Sequence, residues 1–211
     1  MSVSNSSVTV YGAAYSVYVR IVRIALGEKG VSYTLVPVDV FADDGLPPDY
    51  LSRQPFGRIP AFEHDGFCLY ETSAITRYID EAFSGPSLQP PTLHQRARMN
   101  QILAMLDNYG YVPMVWDVYV QRLEREVVDE ARIVAGLAKA RIFMKALSTL
   151  IGTNHFLTGG DFSLADCHLA PMLDLFAKAP EGADLLCEFA TVRDWWERVK
   201  SRPSVLAATT A

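Results

Sequence analysis

Gln54-Pro55-Phe56-Gly57-Arg58-Ile59-Pro60-Ala61-Phe62, with Leu69-Tyr70-Glu71-Thr72-Ser73-Ala74-Ile75 shortly after it, decides how this chain is read. Proline locks φ, and an X-Pro bond can be cis at small cost. Pro60 leads directly into apolar residues, so it marks a strand start whose own amide is out of use. Ile59, just before it, keeps backbone groups that can pair with an extended peptide. Glu71 and Thr72 put an acid and a hydroxyl where a strand turns into a helix, a place that can hold both an ammonium and a carboxylate. Together the two stretches predict a site for a small zwitterionic peptide.

Working outward, Val8-Thr9-Val10-Tyr11 is a short β-type run broken by Gly12-Ala13-Ala14-Tyr15-Ser16. Residues 17–29 follow a helical pattern that Gly30 ends, which puts Ser16 at or next to the helix N-cap. Residues 33–38 read as a second strand, giving a strand–helix–strand unit with parallel strands. Residues 41–49 read as loop, with a short helical turn at 50–53. Residues 60–63 and 67–70 are two strands joined by Asp65-Gly66, the strongest two-residue hairpin signal. Ile75, Tyr78, Ile79, Ala82 and Phe83 then recur at helical spacing. This βαβ-ββα order predicts an α/β domain over residues 1–84. Gly85-Pro86-Ser87-Leu88-Gln89-Pro90-Pro91 marks a linker at 85–92. Residues 93–211 read as all-helical. Residues 93–130 form one helix bent at Gly110 and Pro113, or two. Further helices cover 131–152, start at Phe162, and run over 192–201 to a stop at Pro203. Phe162-Ser163-Leu164-Ala165-Asp166 is a capping-box helix start, with Phe162 and Cys167 placed for the accompanying staple.

Composition bounds the function. The chain has 211 residues, half of them hydrophobic, and a net charge of −5. Nothing in it argues for nucleic acid or an anionic membrane as partner. No apolar run is long enough to span a bilayer. Residues 1–7 are small and polar and read as a loose tail rather than a signal peptide. Cys68, Cys167 and Cys187 are odd in number and widely spaced, so they read as reduced, mostly buried thiols of a cytoplasmic protein. The four histidines are scattered, and no metal site is expected.

Three stretches carry a family likeness. Residues 11–22, residues 51–63 with 71–79, and Phe162-Ser163-Leu164-Ala165-Asp166 resemble, in this order and spacing, the soluble glutathione S-transferases, most closely the phi class. The resemblance covers nearly the whole chain. It implies a thioredoxin-like N-terminal domain that binds glutathione and an all-α C-terminal domain that forms a hydrophobic substrate site. It further implies glutathione as co-substrate, hydrophobic electrophiles as second substrates, some hydroperoxide reduction and a homodimer. Carried onto this sequence, Ser16 matches the residue that activates the thiol, with Tyr15 the main competitor and Tyr11 and Tyr18 weaker ones. Ile59 would pair its backbone with the cysteinyl part, and Pro60 would be cis. Glu71 would accept the γ-glutamyl ammonium, Thr72 would bind its carboxylate, and Arg58 could reach the peptide. Phe56 would insert into a partner subunit. Tyr109, Val112, Trp116 and Tyr119 would line the electrophile site. One departure stands out. Phi-like relatives hold the glycyl carboxylate with a histidine and a lysine ahead of the proline motif, where this chain has Val40-Phe41-Ala42-Asp43-Asp44-Gly45-Leu46.

The residues leave other readings open. Ser16 can be a plain helix cap, Glu71-Thr72 an ordinary helix start, Phe56 a contact within its own chain, and the aromatic stretch 105–119 simply core. A ligand carrier with little turnover, or an interaction module like the gamma subunit of the elongation factor one complex, would use the same fold. An omega-type thiol-disulfide activity would need a cysteine at position 16.

Overall fold

The computed structural model describes residues 7–43 and 45–210. Most of the expected N-terminal tail, and Asp44 of the acidic loop, lie outside the described residues. The chain forms two compact units. One runs to Pro86 and takes in the last residues from Ala207, and the other is Ser87–Leu206.

The first unit contains a four-stranded mixed sheet in the order β2-β1-β3-β4. Its strands are β1 (Val8–Tyr11), β2 (Thr34–Val36), β3 (Ala61–His64) and β4 (Phe67–Tyr70), with α1 (Val17–Glu28) after β1 and α2 (Thr72–Ala82) after β4. This is the thioredoxin-like βαβ-ββα order read from the sequence. β2 pairs parallel to β1, while β3 pairs antiparallel to both β1 and β4. β2 is shorter than expected because Pro37 has no amide to continue the ladder, and β3 starts at Ala61 rather than Pro60 for the same reason. Asp65 and Gly66 both have positive φ, 49° and 85°, as a tight hairpin turn with right-handed twist requires.

Helix α1 ends in a Schellman motif. Gly30 takes φ 65°, its amide donates to the Gly27 carbonyl, and the Val31 amide donates to the Leu26 carbonyl. Beside this turn the buried Lys29 ammonium donates to the Asp80 carboxylate at 3.1 Å and to the carbonyls of Asp80 and Pro86 at 3.0 Å each. Three acceptors around one ammonium offset the cost of burying it. Arg23 of α1 donates to Tyr33 Oη and to the carbonyls of Ala207 and Ala208, which anchors the chain's C-terminal residues in this unit.

The second unit is helical. α3 (Leu93–Met105) is capped by Thr92, whose hydroxyl accepts from the Gln95 amide. The helix continues past Met105 with a wider π winding over Leu106–Gly110 and Val112–Tyr119, then closes as α4 (Val120–Leu123). The expected bends at Gly110 and Pro113 are thus a change of winding, which a proline without an amide tolerates well. α5 (Glu130–Ile151) is capped by Asp129, and α6 (Leu164–Phe176) runs through the core. α7 (Pro180–Cys187) was not foreseen, although Pro180 at its first turn and Glu181 beside it are the usual signs of a start. Pro203 ends α8 (Ala190–Val199) and also opens α9 (Pro203–Thr209), where only a stop had been read.

The capping box at α6 is the polar centre of this unit. The Ser163 amide and hydroxyl donate to Asp166 Oδ2 at 2.8 and 2.7 Å, and the Leu157 amide and Trp195 Nε1 donate to Oδ1 at 3.0 and 2.7 Å. Asp166, a structural cap here, is fully buried. Burial raises its pKa against the pull of these four donors. The folded chain therefore holds this proton more tightly than the unfolded chain. The group stabilises most below about pH 4, and its contribution falls as pH rises through its folded pKa. Asp166→Ala strands four buried donors and should cost about 3 kcal/mol or more, read as a drop in the urea midpoint at unchanged m-value. The variant should also lose part of the wild type's decline in stability above pH 4.

Candidate functional site

Strand register decides which residues meet at one end of the sheet. Val36, Tyr11, Ala61 and Tyr70 lie in one cross-strand row. β1, β2 and β4 leave the sheet at that row, and β3 enters it there. The next residues along the chain are therefore neighbours: Gly12 to Ser16 after β1, Pro37 to Asp39 after β2, Ile59-Pro60 before β3, and Glu71-Thr72 after β4. Four segments far apart in sequence converge on one edge a few strand spacings wide, about 4.8 Å each.

Gly12 presses this edge together. Its amide donates to the Val36 carbonyl at 3.0 Å. A Cβ added here would lie 2.5 Å from Val19 Cγ2 and 3.3 Å from Ile59 Cβ. Only a glycine lets the β1–α1 loop lie this close to Ile59.

Ser16 is the N-cap of α1, with extended backbone. Its carbonyl accepts from the Arg20 amide, opening the helix, and its own amide donates to the Ala13 carbonyl. Its half-buried side chain makes no cap hydrogen bond. The plain-cap reading of Ser16 thus has no bond to rest on. Tyr15, the competitor, is 46% exposed and donates its hydroxyl to Asp39 Oδ1 at 2.6 Å. Tyr11 donates to Glu63 Oε2 at 3.0 Å, and the Arg53 guanidinium stacks 4.6 Å above its ring while pairing with the same carboxylate. Burial, followed by the Glu63 bond, raises the Tyr11 pKa. The Tyr11 and Tyr15 phenols are both engaged with carboxylates.

Ile59-Pro60 is cis. Among the described residues no hydrogen bond engages the Ile59 backbone. The loop ahead of it is held from within. Tyr50 is buried and donates its hydroxyl to the Arg58 carbonyl at 2.7 Å, and burial pushes its pKa up to about 12. Gln54 is also buried, and its Oε1 accepts from the Phe56 amide at 2.7 Å. The Arg58 side chain is exposed. Phe56 is 69% exposed, with its ring edge-on to Tyr70 at 6.0 Å.

Glu71 is the N-cap of α2 and takes φ 68° and ψ 110°, a costly conformation for a residue with a side chain. Its carbonyl accepts from the Ala74 and Ile75 amides, and no side chain caps the helix. Thr72, at the first helical position, is buried. An uncapped helix start beside an exposed carboxylate can hold an anion and a cation a few ångströms apart.

In the second unit the four residues expected to line an apolar site fall on the π-wound stretch. Tyr109 and Val112 are exposed, and Trp116 and Tyr119 are half-buried. Among the described residues no group of three or more His, Cys, Asp or Glu side chains is arranged to hold a metal ion. Among the same described residues no helix is long and apolar enough to cross a membrane. Of the three cysteines, expected to be mostly buried, only Cys167 is, while Cys68 and Cys187 are exposed.

Residues 10–87 match the model of the glutathione S-transferase N-terminal domain, and residues 122–198 match that of the C-terminal domain. The chain belongs to the glutathione S-transferase family. It is 30% identical over 202 residues to glutathione S-transferase F13 of Arabidopsis thaliana, a match covering 93% of this chain and 92% of that protein. It is also 30% identical over 200 residues to glutathione S-transferase 3 of Zea mays, covering 92% and 89%. Among solved structures, glutathione S-transferase III in apo form superposes with a TM-score of 0.85 at 30% identity, covering 97% of this chain and 96% of that one. Poplar glutathione transferase F1 gives 0.83 at 30% identity, covering 97% and 98%. These relatives are of the plant phi, or F, type, the class that the sequence most resembles.

Within this glutathione S-transferase fold, sequence reasoning missed Asp39 and Tyr50. Asp39 carries no motif of its own and is recognisable only once the strand ends are aligned. Tyr50 was read as part of a short helical turn, and its burial was the signal not used. Gly12→Ala should lower stability by roughly 1–3 kcal/mol through the clash with Val19, measured as the urea midpoint. Gly30→Ala, where an added Cβ meets nothing within 4 Å, should cost only what its positive φ demands.

Proposed function

We propose that this protein conjugates the glutathione thiolate to hydrophobic electrophiles, with Ser16 as the activating hydroxyl. The observation that carries the reading is the Ser16 side chain, which makes no cap bond at the N-terminus of α1, on a loop whose Gly12 packs against Ile59 of a cis Ile59-Pro60 bond. A free thiol has pKa ~8.5, and lowering it by two units means stabilising the anion by roughly 2.7 kcal/mol. A hydroxyl donating to a charged sulfur supplies ~1.5–3 kcal/mol, and the helix N-terminus adds ~0.3–1 kcal/mol. The two suffice without a base. Ser16 acts as donor to the thiolate and forms no covalent intermediate.

The rest of the peptide follows from the strand-end row. Ile59 pairs with the cysteinyl backbone. The exposed Glu71 carboxylate receives the γ-glutamyl ammonium, and the amides at the start of α2, with the Thr72 hydroxyl, receive its carboxylate. Arg58, exposed beside Ile59, is the base available for the glycyl end in place of the missing histidine and lysine. The electrophile meets Tyr109, Val112, Trp116 and Tyr119, an aromatic wall suited to apolar ligands, and such a site also accommodates hydroperoxides. Phe56, exposed on a rigid loop, is the contact that would join two subunits in a C₂ homodimer. Free Cys68, Cys167 and Cys187 support a cytoplasmic setting.

The test is conjugation of a chromogenic aryl halide with glutathione, together with retention on immobilised glutathione. Ser16→Ala removes the hydroxyl's share of the thiol activation and should lower kcat roughly tenfold or more at neutral pH, with retention kept. A fully active Ser16→Ala would remove Ser16 from the mechanism. Absence of both turnover and retention in the wild type would favour an interaction module, and retention without turnover a ligand carrier. Glu71→Gly should raise stability by ~1 kcal/mol, by relieving the positive φ, while abolishing retention on glutathione. A variant that is both more stable and still retained would show that the Glu71 carboxylate serves no ligand.

A further inference from the structure

The loop that presents Ser16 is tied down from the neighbouring strand end. Tyr11 and Val36 are parallel partners, and the Gly12 amide extends that pairing by one bond. Three residues past Val36, Asp39 Oδ1 accepts the Tyr15 hydroxyl at 2.6 Å and the Phe41 amide at 2.9 Å. The Tyr15 and Phe41 rings stack with centroids 6.4 Å apart and planes 25° from parallel. A single carboxylate oxygen thus clasps the β1–α1 loop to the segment after β2, and the two rings lie against each other.

We propose that Asp39 is a positioning residue for the thiol chemistry, holding through Tyr15 the turn on which Ser16 stands. The inference rests on the assignment of Ser16 made above. Tyr15 and Ser16 share a peptide bond, so by fixing Tyr15 the clasp restrains the backbone that sets where the Ser16 Cα–Cβ bond points. Other ties on this turn include the Ser16 amide to the Ala13 carbonyl at 3.0 Å and Arg20 Nε to the Ala14 carbonyl at 3.0 Å. These fix the turn to itself and to α1. The clasp adds a reference point at the end of β2, on the other side of β1 from Ile59, where the peptide would pair. Tyr15 and Phe41 are both exposed large side chains, so burial alone does not hold Tyr15 there. The Tyr15 bond and then the Phe41 amide hold the Asp39 carboxyl below the usual carboxylate range, so it is ionised throughout the neutral range. The clasp also explains why Tyr15 is a poor candidate for direct thiol activation, since its proton already points at a carboxylate.

The test compares Tyr15→Phe, Asp39→Ala, the double variant and Asp39→Asn with wild type. The readouts are kcat, KM for glutathione, and the pKa of the bound glutathione thiol from its ultraviolet thiolate absorbance. Tyr15→Phe and Asp39→Ala should each raise the thiol pKa and lower kcat roughly tenfold, with KM within about twofold. The double variant should be no worse than either single, because both remove one interaction. Asp39→Asn keeps a carbonyl acceptor and should recover most of the rate. A wild-type kcat and thiol pKa in either single variant, or losses that multiply in the double, would overturn the proposal. So would a slow Tyr15→Phe beside an unimpaired Asp39→Ala, the signature of direct catalysis by Tyr15. Ser16→Ala in the same assay separates the two layers. If it is fully active, the assignment of Ser16 falls. If it is slow while the clasp variants are not, the clasp alone falls.

Discussion

The register of four short strands is the constraint on which the site depends. Side chains on a strand alternate between faces, so a slip of one residue would turn the buried Val8, Val10 and Phe62 outward and expose the core. Core burial therefore fixes the row Val36, Tyr11, Ala61 and Tyr70, and the row fixes which loops meet beyond it. The Asp65-Gly66 turn sets β3 against β4, and the Gly12 contact with Val19 and Ile59 sets the spacing at the functional edge. The residues proposed to hold the peptide each stand within a few residues of a strand end, so the hydrophobic core sets their coarse placement and leaves the finer aim of Ser16 to local ties such as the Tyr15–Asp39 bond.

Stability and function are kept apart in this scaffold. Three buried polar centres are satisfied: Lys29 by Asp80 and two carbonyls, Asp166 by four donors, Tyr50 by the Arg58 carbonyl. They hold helix ends and a loop in place. The groups at the sheet end are the opposite case. Ser16 lacks a cap bond, the Ile59 backbone is unpaired among the described residues, α2 starts without a side-chain cap, and Glu71 carries a positive φ. Each of these is a small deficit in folding free energy that a bound peptide is able to make good. Their coincidence at one end of the sheet, rather than any one of them, is what supports the proposed peptide site.

Much of this was legible in the sequence because it depends on local chemistry. β1, the end of α1 at Gly30, the Asp65-Gly66 hairpin and the capping box at Ser163 and Asp166 each rest on a few adjacent residues with strong preferences. The π winding was less legible. Between Leu106 and Tyr119 the hydrogen bonds span one residue more than in an α-helix, so apolar spacing drifts and signals a bend without its nature. α7 was missed because its eight residues are too few to show a period, although Pro180 marked the start. Asp39 could not be found at all. Its role comes from a hydrogen bond across 24 residues of sequence, between two strand ends that only the parallel pairing makes neighbours.

The most direct measurement of the central claim is a titration of the isotopically labelled protein with glutathione, followed by backbone amide chemical shifts. If the strand-end row builds one peptide site, the amides of Ser16, Ile59, Thr72 and Ser73 should move together, with a single dissociation constant. Shifts confined to one of these segments, or a saturable set elsewhere that leaves all four unmoved, would contradict the account.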